Sequence, residues 1–230
     1  MSINQNVPTC VAAGTNNGCR PNPNYANNSQ YSAAGSSTYH GLQLALVQRP
    51  AQWGEYRVSY TLSKSMNNVG EFFFSSPIDP FDLSKDWGRS DDDQRHRLVV
   101  NGSIRGGGFQ VSGVLQAYSA LPLNILSGVT TVQGTAGRPL VNGAFIRRNS
   151  GTGNDFLTVN LRVSRAFQAF RRMQAEAIAE TFNLTNRVNV AALNGVFGAG
   201  VYPDNPSPTF HQTTAVADPR SFQLGVRVRF

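Results

Sequence analysis

Apolar and polar residues alternate over seven stretches of the chain, the period of a β-strand with one apolar and one polar face. Leu42, Leu44 and Leu46 alternate with Gly41, Gln43 and Ala45, and Tyr56, Val58, Tyr60 and Leu62 alternate with Glu55, Arg57, Ser59 and Thr61. Leu98, Val100 and Ile104 oppose Arg97, Asn101, Ser103 and Arg105, while Phe109, Val111 and Leu115 oppose Gln110, Ser112 and Gln116. Leu157, Val159, Leu161 and Val163 stand against Thr158, Asn160, Arg162 and Ser164. The last run sets Phe222, Leu224, Val226, Val228 and Phe230 against Ser221, Gln223, Arg227 and Arg229. The sixth stretch, Met173 to Phe182, reads two ways. Ala175, Ala177 and Ala179 alternate with Glu176 and Glu180 as in a strand, but Phe170, Ala177, Ile178 and Thr181 approximate a helical stripe, and Ala and Glu favour a helix.

The connections sharpen this pattern. Those around Arg49 to Gly54, Gly106 to Gly108 and Phe167 to Arg172 are short, whereas the other three are long, roughly 28 to 36 residues each. In an up-and-down antiparallel order all short turns fall on one edge and all long loops on the other, as in outer-membrane barrels with short periplasmic turns. Trp53, Phe109, Phe167, Phe170 and Phe230 sit at the short-turn ends, where an interfacial aromatic girdle belongs. Before the strands, eight Asn fall within the first 28 residues, with Pro8, Pro21, Pro23, Gly14 and Gly18 among them. Residues 1–38 therefore read as an irregular extracellular loop segment, and 39–230 as the barrel portion.

The expected fold is all-β: an antiparallel, up-and-down transmembrane β-barrel fragment of about seven strands. They would form one curved sheet with its apolar stripe on the convex face and two unpaired edges. Closure into a small barrel, with an eighth strand from residues 1–35, is the alternative.

Composition narrows the classes. Charged residues make up 14% of the chain, below the roughly 25% of soluble domains. No run approaches the 18 to 20 apolar residues of a membrane-spanning helix. The net charge is +7, and 18 of the 20 basic residues are Arg. They are dispersed at alternate positions instead of clustered, which argues against a nucleic-acid partner.

Candidate chemistry is sparse. Cys10 and Cys19 either close a small loop disulfide or remain free thiols. Asp91, Asp92 and Asp93, with Asp86 and Ser90, lack calcium-loop spacing and are expected to form a charged loop base pairing with Arg95 and Arg97. His40, His96 and His211 are far apart and no nucleophile motif accompanies them, so no enzyme, metal or cofactor is expected. The glycines of 151–153 and 195–200 read as loop flexibility. The polar face supplies the candidate site. Arg57, Arg97, Arg105, Arg162, Arg227 and Arg229, with Glu55, Glu176 and Glu180, are expected to face a lumen with three excess positive charges.

A series of landmarks carries a resemblance. They are Tyr39-His40-Gly41-Leu42-Gln43, Ser59-Tyr60-Thr61-Leu62-Ser63-Lys64-Ser65, Asp79-Pro80-Phe81-Asp82-Leu83 and Asp93-Gln94-Arg95-His96-Arg97-Leu98. Ser119-Ala120-Leu121-Pro122-Leu123, Glu180-Thr181-Phe182-Asn183-Leu184-Thr185-Asn186 and Asp218-Pro219-Arg220 follow. In this order they resemble the C-terminal part of TonB-dependent outer-membrane receptors of the Oar-like, carboxypeptidase-regulatory-like group abundant in acidobacteria. The resemblance covers about residues 20 to 230 and implies a strand at the sixth stretch. It also implies location in the outer membrane of a Gram-negative bacterium and uptake of a bulky nutrient. As partners it implies outer-membrane lipid, the barrel-assembly machinery reading Phe230 as its signal, and a plug domain and TonB contacted through a missing N-terminal part. Met1 would then mark a truncated reading frame or an excised fragment. The competing readings are a structural or adhesive outer-membrane module and a soluble carbohydrate-binding β-sandwich.

Overall fold

The computed structural model describes residues 2–8, 18–69, 77–130, 136–170 and 173–230. Seven long strands form one antiparallel meander: β1 (Ser37–Gln48), β2 (Gly54–Asn67), β3 (His96–Gly106), β4 (Phe109–Tyr118), β5 (Phe156–Phe170), β6 (Met173–Phe182) and β7 (Ser221–Arg229). Each pairs with the next in sequence, and β1 and β7 are the two edges. The shortest has nine residues and the longest fifteen, so each matches or exceeds the roughly 9 to 11 that a tilted strand needs to cross a bilayer. Among the described residues no helix is long and apolar enough to do so.

The register explains why the alternation is so regular. Directly opposite residues of an antiparallel pair share a face. Leu44, Tyr60, Leu98, Ala117 and Leu157 form one continuous row across five strands. Ile104, Val111, Val163, Ala179 and Leu224 form another. A slip of one residue in any strand would turn its whole apolar set to the other face, so the pattern fixes every pairing at once. The same reasoning settles the sixth stretch. As β6 it is hydrogen-bonded on both sides, with Glu180 opposite Arg162 and Gln223, and two ladders override its helical propensity.

Burial is inverted relative to a soluble sheet. Leu42, Leu44, Leu46, Phe222, Leu224 and Val226 are exposed, Leu224 at 83%, while Ser103, Thr158 and Ser164 of the opposite face are buried. Apart from Ala175, the buried apolar residues Ile3, Val7, Ile78, Ile125 and Phe197 lie outside the seven strands.

The three long connections, 68–95, 119–155 and 183–220, all lie at one end of the sheet. They carry local order that alternation does not reveal: a 3-10 turn at Leu83–Asp86 and two-residue pairings such as Pro122–Leu123 with Gly151–Thr152. A longer pairing joins Val190–Leu193 to Thr213–Val216. Phe197 is fully buried, with ring contacts to Tyr202 at 5.0 Å and Phe210 at 5.2 Å. Gly195 and Gly200, expected as flexible positions, instead allow close packing, since a Cβ there would meet the carbonyl oxygens of Asn124 and Asn205.

The segment expected to be irregular also departs from its reading. Ser2–Asn4 pairs with Ser29–Tyr31, and the buried Asn6 donates to the carbonyls of Asn22 and Tyr25 at 2.9 and 2.8 Å. Asparagine side chains replace strand pairing there, a signal that composition cannot separate from loop. This ribbon does not join the main sheet. The eighth strand of that sheet is Gly88–Arg89, paired with β2, instead of a strand from residues 1–35.

Candidate functional site

All nine charged residues expected to share one face do so. Arg57 lies opposite Asn101, Glu55 opposite Ser103 and Arg105 opposite Gln110. Arg162 lies opposite Ser112 and Glu180, and Arg227 opposite Glu176. Arg97 and Arg229 fall on the same face by register, opposite Thr61 and Gln174.

Within that face the structure brings some together and keeps others apart. Arg162 reaches Glu180 at 3.4 Å and Glu176 at 3.7 Å, and Arg227 reaches the other oxygen of Glu176 at 3.5 Å. This chain crosses β5, β6 and β7, and its half-exposed members contribute little stability individually. Arg97 instead packs over the Tyr118 ring at 5.0 Å. Arg57, Arg105, Arg229 and Glu55 have no ion-pair partner among the described residues.

A cleft of about 620 Å³ opens on this polar face. Four of the nine line it, namely Glu55, Arg57, Arg162 and Glu180, joined by Asn101, Ser103, Gln110, Ser112 and Asn160 from the central strands. Those neutral polar side chains belong to the same alternation, but charge alone did not single them out. Ser103 Oγ is buried there without a hydrogen-bond partner. The cleft therefore offers both signs of charge, amide and hydroxyl groups, and no paired nucleophile and base. Val47, Pro50, Val114 and Phe182 complete its wall, so the surface mixes these polar groups with apolar ones.

The loop bases form a second polar cluster. Asp93, fully buried, accepts the Ser65 backbone N–H at 2.7 Å and the Arg89 Nε–H at 2.7 Å, with Arg95 at 3.5 Å. Burial favours the neutral acid, but the Ser65 N–H and the two guanidiniums outweigh it and hold the carboxyl below its ordinary range. The expected pairing of this aspartate run holds for Arg95 and is corrected for Arg97. Arg89 and Arg95 serve Asp93, Asp91 pairs with Arg148, and Arg97 is turned to the sheet. No cluster suited to a metal occurs among the described residues. Further out, the buried Arg138 bonds to Asp86 at 2.9 Å and to the Lys85 carbonyl at 2.6 Å. Nothing in the sequence marks that contact, because the partners are 52 residues apart.

Four of the landmark residues, Gln94, His96, Ser119 and Asn183, make clamping contacts at these loop bases. Gln94 Nε2 donates to the Ser119 carbonyl, and the His96 N–H donates to Ser119 Oγ, tying two loops. Asn183, in a left-handed conformation, is buried. It donates to the carbonyls of Arg187 and Asp218 and accepts the Arg187 N–H, while its own N–H donates to Asn160 Oδ1. Cys19 is disulfide-bonded, and Cys10 lies outside the described residues. At the short-turn end Trp53, Phe109, Phe167 and Phe230 are all exposed, Phe230 at 97%. The Phe170 side chain lies outside the described residues.

A search of curated proteins finds no match. Among solved structures, the outer membrane transporter YddB from Escherichia coli is similar in fold. The TM-score is 0.57 at 14% sequence identity, over 87% of this chain and 26% of that one. The chain thus spans about a quarter of that transporter's length. A family model described as an outer membrane beta barrel domain matches residues 1–146, more than half of the sequence. Open apolar face, opposite charged face and one-sided long loops all agree with that match, and the chain belongs to the outer membrane beta barrel domain family.

Proposed function

We propose that the chain is a wall segment of a TonB-dependent outer-membrane receptor that takes up a bulky nutrient. Its apolar face would lie against lipid and its polar face would line the interior, in contact with a plug domain. The observation that carries this reading is that nine of the eleven charged residues in the seven strands lie on the face holding the cleft, opposite an exposed apolar face. Two unpaired edge strands support it further, since each offers a full row of backbone donors and acceptors to neighbouring strands of a larger barrel. The role of the arginines and the cleft would be to hold a polar domain or pass a polar solute, as barrel interiors do.

The test places a photocrosslinking amino acid at Ser112, in the cleft, in cells producing the protein in its natural sequence context. Crosslinked peptides from a plug-type domain are the expected result. Crosslinks confined to lipid, or to neighbouring strands alone, would overturn the receptor reading and leave a structural or adhesive wall.

A further inference from the structure

On the apolar face one row breaks the pattern. Gly102 of β3 lies directly opposite Gly113 of β4, between Tyr56 of β2 and Leu161 of β5. Two facing glycines remove the side chains at the centre of the row and leave a notch of about 340 Å³, with Trp53 also on its wall. Valine, leucine and isoleucine of the rows above and below complete an almost wholly apolar lining.

Four residues along β5 from Leu161, towards the short turns, stands Arg165. It occupies the apolar face, opposite Phe109, and its guanidinium lies over that ring at 4.9 Å. Arg165 is the one arginine on this face in the seven strands among the described residues, and it has no ion-pair partner there. Four residues of strand span about 13 Å. That is less than half the roughly 30 Å of a hydrocarbon core, so a cation at headgroup level leaves the notch within the same leaflet.

We infer that the Gly102–Gly113 notch and Arg165 together form a site for one anionic phospholipid, its acyl chain in the notch and its phosphate on the Arg165 guanidinium. This rests on the membrane reading of the apolar face. Charge complementarity selects the occupant: a guanidinium without an ion-pair partner among the described residues, beside an apolar groove, matches a lipid with net negative charge better than a zwitterionic one, whose ammonium opposes Arg165.

The chain has two tryptophans, so Trp87→Phe leaves Trp53, on the notch wall, as the reporter. The full chain is reconstituted in phosphatidylcholine vesicles containing acyl-brominated phosphatidylglycerol or acyl-brominated phosphatidylcholine, and quenching of Trp53 is titrated. Brominated phosphatidylglycerol is expected to quench at about fivefold lower mole fraction, the effect of one basic residue near an anionic surface. Arg165→Gln should abolish that preference. Gly113→Leu, whose Cβ would sit at ordinary contact distances of 3.6 and 3.7 Å, should weaken quenching by both lipids, and Gly113→Ala serves as a milder version. Equal quenching by the two lipids, or a preference that survives Arg165→Gln, would overturn the site. Either result would leave Trp53 quenched by bilayer lipid and the membrane reading intact, whereas no quenching by either lipid would count against that reading itself.

Discussion

At the scale of single residues, the decisive groups lie at the loop bases. Asp93 holds the second and third strands together through Ser65, Arg89 and Arg95, and its carboxyl is held below the ordinary range. A group depressed in the folded state contributes stability above its unfolded value, near 3.9, and loses it as pH falls through the lower folded value. The clamp should therefore survive at pH 4 and open only in stronger acid. The Ser65 amide resonance followed through an acid titration should move with a midpoint below 3.9. A midpoint at or above that value would contradict the pairing. These partners were only partly legible in the sequence. Alternation places a side chain on a face, but contacts such as Asp86 with Arg138 join loops whose course no periodicity records.

At the scale of elements, alternation and turn chemistry did most of the work. The strands recur where period two occurs, because a two-faced sheet rewards only one register. The sixth stretch shows the limit: its Ala and Glu content points to a helix, and only ladders on both sides make it β6. The 1–38 segment shows another, since asparagines that read as loop build a hydrogen-bonded ribbon. The first short turn gives a sharp expectation. Gly54 has a φ of +149°, and a Cβ there would meet the Ser103 carbonyl of β3. Gly54→Ala should destabilise the β1–β2 hairpin by roughly 1–3 kcal/mol. Denaturant unfolding in lipid or detergent would measure it, and an unchanged midpoint would show the turn to be unstrained.

At the scale of the whole molecule, the sheet is inside out. Its apolar face is open and its polar face holds the cleft, while among the described residues the buried apolar side chains other than Ala175 lie in the loops and the N-terminal segment. An apolar face of this extent is unusual for a protein surrounded by water. Among the described residues β1 and β7 are unpaired along their outer edges, with backbone donors and acceptors available for strand pairing. Of the four charged residues that line the cleft, Glu55, Arg57 and Arg162 were visible in the sequence because each sits in a clean alternation, whereas Glu180 lies in the stretch that reads two ways. The cleft itself was not, because its shape depends on how six strands align. The account's central claim is that one face of this sheet meets lipid and the other meets water. Nitroxide labels placed singly from Arg97 to Arg105 along β3, in bilayers, test it most directly. Labels at Leu98, Val100, Gly102 and Ile104 should be relaxed chiefly by oxygen. Those at Arg97, Val99, Asn101, Ser103 and Arg105 should be relaxed chiefly by a water-soluble nickel chelate, with a period of two. Uniform accessibility along the strand, or the opposite phase, would contradict the account.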